Sequence, residues 1–354
     1  MIPPEDVTRR RFLKSASAAA VGASLASVAG IGRGQNPEAP AILNHNPQMG
    51  YRRLGKTGFM ISEVSLGGHG GQTVEDRIAV LDRAVELGIN YVDNNIDAEC
   101  DLYGEAMARS AHAQREHWFI GFASWPEKIT EEYEDQLTPE GMMANIEARL
   151  KSYRTDVLDM WRPVGATWGE GQTAIPTMLM VSTKTLDMVV GVFEQAKQQG
   201  KVRYLGVSAH NPQVFHRVLE EYPQFSVVIF PYLFLTEEFG GGSLLDLAQQ
   251  KGVGVIGLKP FGAGMVFAQR PGQLQGQVDQ RARVLVREML REGRLSAVIP
   301  GVNIPAQLEE NVRGSYERDQ PTTQADRETL RECARNLGTS MTPEYRWLDA
   351  WRVA

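Results

Sequence analysis

Residues 84–100 read AVELGINYVDNNIDAEC. A helix-period stretch stops at Gly88, a short apolar run follows, and that run ends on Asp93 in a loop of acids and amides. Glycine is a common helix stop. An apolar run without polar alternation fits a strand covered on both faces. The unit recurs. Eight β-rich runs lie at 61–67, 89–94, 118–124, 157–164, 202–209, 226–234, 252–261 and 296–302. Helix-period stretches with recognisable starts and stops separate most of them, among them TVEDRIAVLDRAVELG (73–88) and NPQVFHRVLEEY (211–222). Strands alternating with helices give a parallel sheet. Eight units in about 300 residues fit an α/β fold of the (β/α)8 TIM-barrel type better than an open doubly wound sheet. The glycine run SLGGHGGQ (65–72) lacks the spacing of a dinucleotide-binding GxGxxG.

The chain has 354 residues and a formal charge of −6, with 37 basic and 43 acidic side chains. No basic stripe with interleaved aromatics appears, which argues against a nucleic-acid binder. Two cysteines, Cys100 and Cys333, form no CxxC pair and no zinc or iron–sulfur framework, and their spacing leaves a disulfide open. Residues 1–35 read as an export signal: Arg9, Arg10, Arg11 and Lys14 precede a short Ala-rich apolar stretch that ends in small residues. The wording TRRRFLK resembles a twin-arginine signal, which implies the twin-arginine export machinery as partner and a periplasmic destination. The stretch is too short and too rich in Ala and Ser for a stable membrane span. Residues 36–50 form a Pro/Asn-rich linker, and one domain occupies 51–354, with a C-terminal extension carrying Tyr345, Trp347 and Trp351. Packing of that extension on the outer helices is expected over closure of the site.

Active sites of such barrels form where strands end. The ends carry His69, Asp93, Asn94, Asn95, Arg162, Ser208, His210, Lys259, Gly301 and Asn303, a polar ring with acid, base and cation.

The segments YRRLGKTGFMISEVSLGG (51–68), AVELGINYVDN (84–94), GKVRYLGVSAHNP (200–212), KPFGAGM (259–265) and IPGVNIPAQLEENV (299–312), in this order, resemble the aldo-keto reductase family. The resemblance implies hydride exchange between NADP or NAD and a small carbonyl or alcohol substrate. It also implies a Tyr proton donor assisted by Lys, Asp and His. Asp93 matches the Asp. The Tyr, Lys and His positions fall on Ala98, Ala123 and Val164, a degenerate tetrad. Without that Lys, Asp93 is expected to lack a charge partner. Tyr103, His69, His210 and Arg162 are the substitutes in view. Tyr103 reads either as a donor or as a packed helix residue, and His69 either as a catalyst or as a structural histidine. On the cofactor side the resemblance implies Ser208 at the nicotinamide. It implies the backbone of Lys259, Phe261, Gly262 and Gly264 around the pyrophosphate, Gln307, Glu310 and Asn311 at the adenine, and Gly301 as a further cofactor contact. Asn303 replaces a basic residue, leaving NAD against NADP open. Two other readings stand beside this one. One is a repurposed lyase, isomerase or hydrolase using Asp93, Asp97, Glu99 and Arg162; the other is a non-catalytic ligand-binding barrel.

Overall fold

The structure is a computed structural model that describes residues 41–67, 73–124, 137–165, 182–210, 212–235, 244–269 and 276–351. The export signal, His69, Trp125, Trp168 and most of the connection after residue 165 lie outside the described residues. A hairpin opens the domain, with β1 (Tyr51–Arg53) paired antiparallel to β2 (Met60–Ser62). Seven parallel strands follow in sequential order: β3 (Tyr91–Asn94), β4 (Phe119–Ser124), β5 (Leu158–Gly165), β6 (Val202–Ala209), β7 (Phe225–Pro231), β8 (Gly254–Leu258) and β9 (Ala297–Ile299). The first predicted run, 61–67, splits. Its start belongs to the hairpin. Its end makes single parallel bridges to both ends of the sheet, Leu66 to Val92 on one side and Val64 to Val298 and Gly67 to Gly301 on the other. The ring is thus nearly closed, with the eighth place filled by bridges in place of a full strand.

Helices α1 (Val74–Leu87), α2 (Asp97–Arg109), α3 (Pro139–Ser152), α4 (Thr183–Gln198), α5 (Pro212–Glu221), α6 (Leu244–Gln250), α7 (Arg281–Leu290) and α8 (Pro305–Tyr316) alternate with the strands. The starts follow the expected chemistry. Thr73 and Asp76 form a capping box on α1, and Gly88 ends that helix at φ 90°. A further helix, α9 (Gln324–Ser340), follows the barrel and is not expected from its polar sequence, since only Cys333 and Leu337 are buried on it.

Side chains alternate across each strand with period two. One set packs outward against the helices, including Trp161. The other set fills the barrel: Tyr91, Phe119, Met160, Val227, Ile229, Ile256, Ala297 and Ile299, floored by Leu54 and Ile61. Two residues further along their strands, Asp93 follows Tyr91 and Arg162 follows Met160 on the same inward face. The fold therefore delivers an acid and a base to the carboxyl end of a packed apolar interior.

Candidate active site

A cleft of about 350 Å³ opens at that end. Its floor is the pair of Asp93 and Arg162, whose side chains are 5% and 3% exposed. Arg162 Nη2 donates to Asp93 Oδ1, and Arg162 Nε donates to Asp93 Oδ2 at 3.2 Å, a two-pronged contact. Tyr91 donates its hydroxyl to Asp93 Oδ2 at 2.6 Å. Burial and the Asp93 charge push that phenol well above its ordinary range, so it stays a donor. Arg162 Nη1 also donates to Ser208 Oγ and approaches Asn95 Oδ1 at 3.5 Å. The expectation that Asp93 stands without a charge partner is therefore corrected. Arg162 reaches it from two strands away, because Ala123 on the intervening strand and Gly121 opposite Asp93 leave the room. A Cβ on Gly121 would sit 2.6 Å from the Tyr91 hydroxyl and 2.7 Å from Asp93 Oδ2.

Tyr103 is not at the cleft. It is fully buried between α1 and α2, where Arg77 donates to its hydroxyl at 2.7 Å and lies 4.4 Å from its ring centroid. The helix that follows the shortened loop turns this phenol toward the outer layer, so Tyr103 is withdrawn as a proton donor. Glu99 does line the cleft, and its Oε2 accepts from the Asn95 amide at 2.7 Å. Asp97 does not; it faces away and pairs with Arg149 at 2.9 Å. Of the three acids and one arginine of the lyase-type reading, Asp93, Glu99 and Arg162 meet at the cleft and Asp97 does not.

The cleft continues past Ser208, Lys259, Phe261 and Gly264 to Gly301, Gln307, Glu310 and Asn311. Gly262 is the exception among the expected cofactor contacts. It sits behind the cleft at φ 52°, where a Cβ would meet Leu337 at 3.1 Å. The amides of Gly262 and Gly264 donate to the carbonyls of Lys259 and Phe261, each at 2.9 Å, so those two N–H groups close turns. Gln307 takes the Asn303 amide at 2.8 Å and gives an N–H to the Gln277 carbonyl at 2.7 Å. Glu310 is 7% exposed. Its Oε1 is buried with no hydrogen bond among the described residues, although Arg283 approaches it at 3.5 Å. Sequence reasoning missed the wall formed by Gln277, Val278 and Asp279, which lies in a loop without periodicity.

The C-terminal extension closes one side. Pro343–Trp351 forms a 3-10 turn run over the strand ends. Trp347 stacks on His210 with ring centroids 3.6 Å apart and planes within 5°. Trp351 donates to the His210 carbonyl at 2.8 Å and packs on Phe230 and Phe215. Tyr345 lines the cleft. The expectation of outer-helix packing holds for Trp351 against Phe215; Tyr345 instead lines the cleft, and Trp347 stacks on the cleft residue His210. Lys259 Nζ lies 5.6 Å from the Tyr345 centroid and 5.9 Å from that of Trp347. Burial lowers its amine to about 8, partly offset by the Glu99 charge. Among the described residues, no group of three His, Cys, Asp or Glu side chains could hold a metal ion.

The aldo/keto reductase family model matches residues 63–344. The uncharacterized oxidoreductase YqkF of Bacillus subtilis (strain 168) is 24% identical over 314 residues, covering 76% of this chain and 92% of that protein. The L-glyceraldehyde 3-phosphate reductase of Escherichia coli (strain K12) is 23% identical over 322 residues, covering 75% and 87%. Among solved structures, the holo form of aldo-keto reductase AKR11C1 from Bacillus halodurans superposes with a TM-score of 0.60 at 18% identity, covering 80% of this chain and 96% of that one.

Proposed function

This chain belongs to the aldo/keto reductase family, and we propose that it is an exported oxidoreductase that uses NAD or NADP to interconvert a small carbonyl compound and its alcohol. The observation that carries this reading is the continuity of the cleft from Asp93, Arg162 and Ser208 to Gln307, Glu310 and Asn311. The donor set suits a dinucleotide at its adenine end. Glu310 Oε1 offers a buried acceptor to an exocyclic amine, and Gln307 and Asn311 are buried polar neighbours on the same helix. Ser208 would face the nicotinamide amide, and the backbone at Phe261 and Gly264 the phosphates. When bound, the cofactor supplies or accepts the hydride. Arg162, locked by Asp93, orients the carbonyl oxygen and excludes water from the floor. The tetrad is reduced to Asp93, with Arg162 as its new counter-charge. The substrate is one that this arginine-floored mouth admits. The leader at 1–35 directs the chain through the twin-arginine route to the periplasm as a folded protein.

Titration of the mature protein with NADH and NADPH, followed by quenching of tryptophan fluorescence, tests the reading. Saturable binding supports it, and no binding at millimolar dinucleotide removes it. Fractionation of cells producing the full chain tests export: mature protein in the periplasm, and cytoplasmic retention when Arg9, Arg10 and Arg11 become Lys.

A further inference from the structure

Reduction of a carbonyl leaves an alkoxide, which needs an acid within hydrogen-bond reach. Among the described residues, the titratable or charged side chains that face the cleft are Asp93, Glu99, Arg162, His210, Lys259, Asp279, Glu310 and Tyr345. Arg162 does not release protons, and it is already bonded to Asp93 and Ser208. The imidazole of His210 has one face covered by Trp347. Asp279 is held by Arg281 at 2.6 Å.

Lys259 is placed differently. It directly follows β8 in a left-handed conformation, φ 55°, which a non-glycine residue adopts at a cost. That turn aims the side chain into the cleft beneath the rings of Tyr345 and Trp347. Burial strips water from the amine, which sits at about 8, close to the pH at which an acid works best, while the Glu99 charge acts in the opposite direction.

We propose that Lys259 is the proton donor to the substrate oxygen at this cleft, and that Tyr345 and Trp347 of the C-terminal segment position its amine. The proposal rests on the reading of the cleft as a dinucleotide-dependent reductase site. As hydride reaches the carbonyl carbon, the C–O π pair moves to oxygen. One N–H bond of the Lys259 ammonium breaks and the O–H bond forms. The products are the alcohol, the oxidised dinucleotide and a neutral amine, which solvent reprotonates.

The test uses the mature protein after reductive methylation with 13C-formaldehyde. One dimethyl-lysine resonance is expected to titrate well below the others, to be absent in Lys259→Arg, and to move toward the others in Trp347→Ala. Reduction of 4-nitrobenzaldehyde with NADH or NADPH gives the catalytic readout. Lys259→Met and Lys259→Arg should each lower kcat by about 100-fold or more, while the dinucleotide Kd changes by less than about threefold. Tyr345→Phe should lower kcat only several-fold. Ordinary titration of every lysine in a protein that binds dinucleotide overturns the proposal and leaves the reductase reading standing. So does full activity in Lys259→Arg, or a loss in Tyr345→Phe that exceeds the loss in Lys259→Met. Failure of the wild type to bind dinucleotide removes both.

Discussion

Replacing Asp93 with alanine removes the counter-charge of an arginine that is 3% exposed. Among the described residues, the Arg162 guanidinium then keeps Ser208, the Asn95 side chain and the Asn94 carbonyl as acceptors. Breaking a buried ion pair from one side costs about 3–5 kcal/mol, because the remaining charge stays desolvated. No discount for solvent screening applies at this burial. In a domain of this size each kcal/mol moves Tm by about 2 °C, so Asp93→Ala should melt about 6–10 °C below wild type. Arg162→Met strands the Asp93 carboxylate, with the Tyr91 hydroxyl as its remaining side-chain donor among the described residues, and should cost a similar amount. The double variant removes both charges and fills the gap with a flexible apolar side chain. It should be more stable than the sum of the single losses allows, with a coupling of about 2 kcal/mol or more. Urea denaturation of the four proteins at pH 7 reads this directly. A loss below about 1 kcal/mol for Asp93→Ala, or strict additivity in the cycle, would refute the placement of a closed ion pair at the barrel mouth.

Other outcomes follow from the same geometry. Gly121→Ala should destabilise by about 1–3 kcal/mol through crowding of the Tyr91–Asp93 contact, measured by the same denaturation curves. The folded Lys259 amine gives up its proton near 8 and the unfolded one near 10.5, so the unfolded chain binds more protons across that interval. Wild-type stability should therefore rise relative to Lys259→Met between pH 8 and 10.5, and a flat difference would contradict the burial of this amine. Cys100 and Cys333 are both buried as free thiols, pushed up to about 12 and about 11 by desolvation. Ellman's reagent should find no fast thiol in the native protein and two after denaturation. Glu310→Ala should weaken dinucleotide binding about tenfold by calorimetry with little change in Tm.

The barrel was legible because strand alternation, glycine stops and caps repeat along the chain, and local chemistry set them: Thr73 with Asp76 and Gly88 behave as their residue types require. What failed was non-local. The Asp93–Arg162 pair joins positions 69 residues apart, and nothing in either neighbourhood announces it. Tyr103 lies on a helix whose rotation depends on where the shortened loop after Asn95 ends. The extension was misjudged because aromatic spacing states that Trp347 and Trp351 pack, not on what. Helix α9 could have been found from its Thr323–Asp326 capping box in spite of its polarity.

Calorimetric titration of the mature protein with NADH and with NADPH bears most directly on the central claim. A single saturable site that is weakened in Glu310→Ala and blocked by substitution of Ser208 with tryptophan is the expected result. Absence of heat with both dinucleotides at millimolar concentration, in a protein that melts cooperatively, would contradict it.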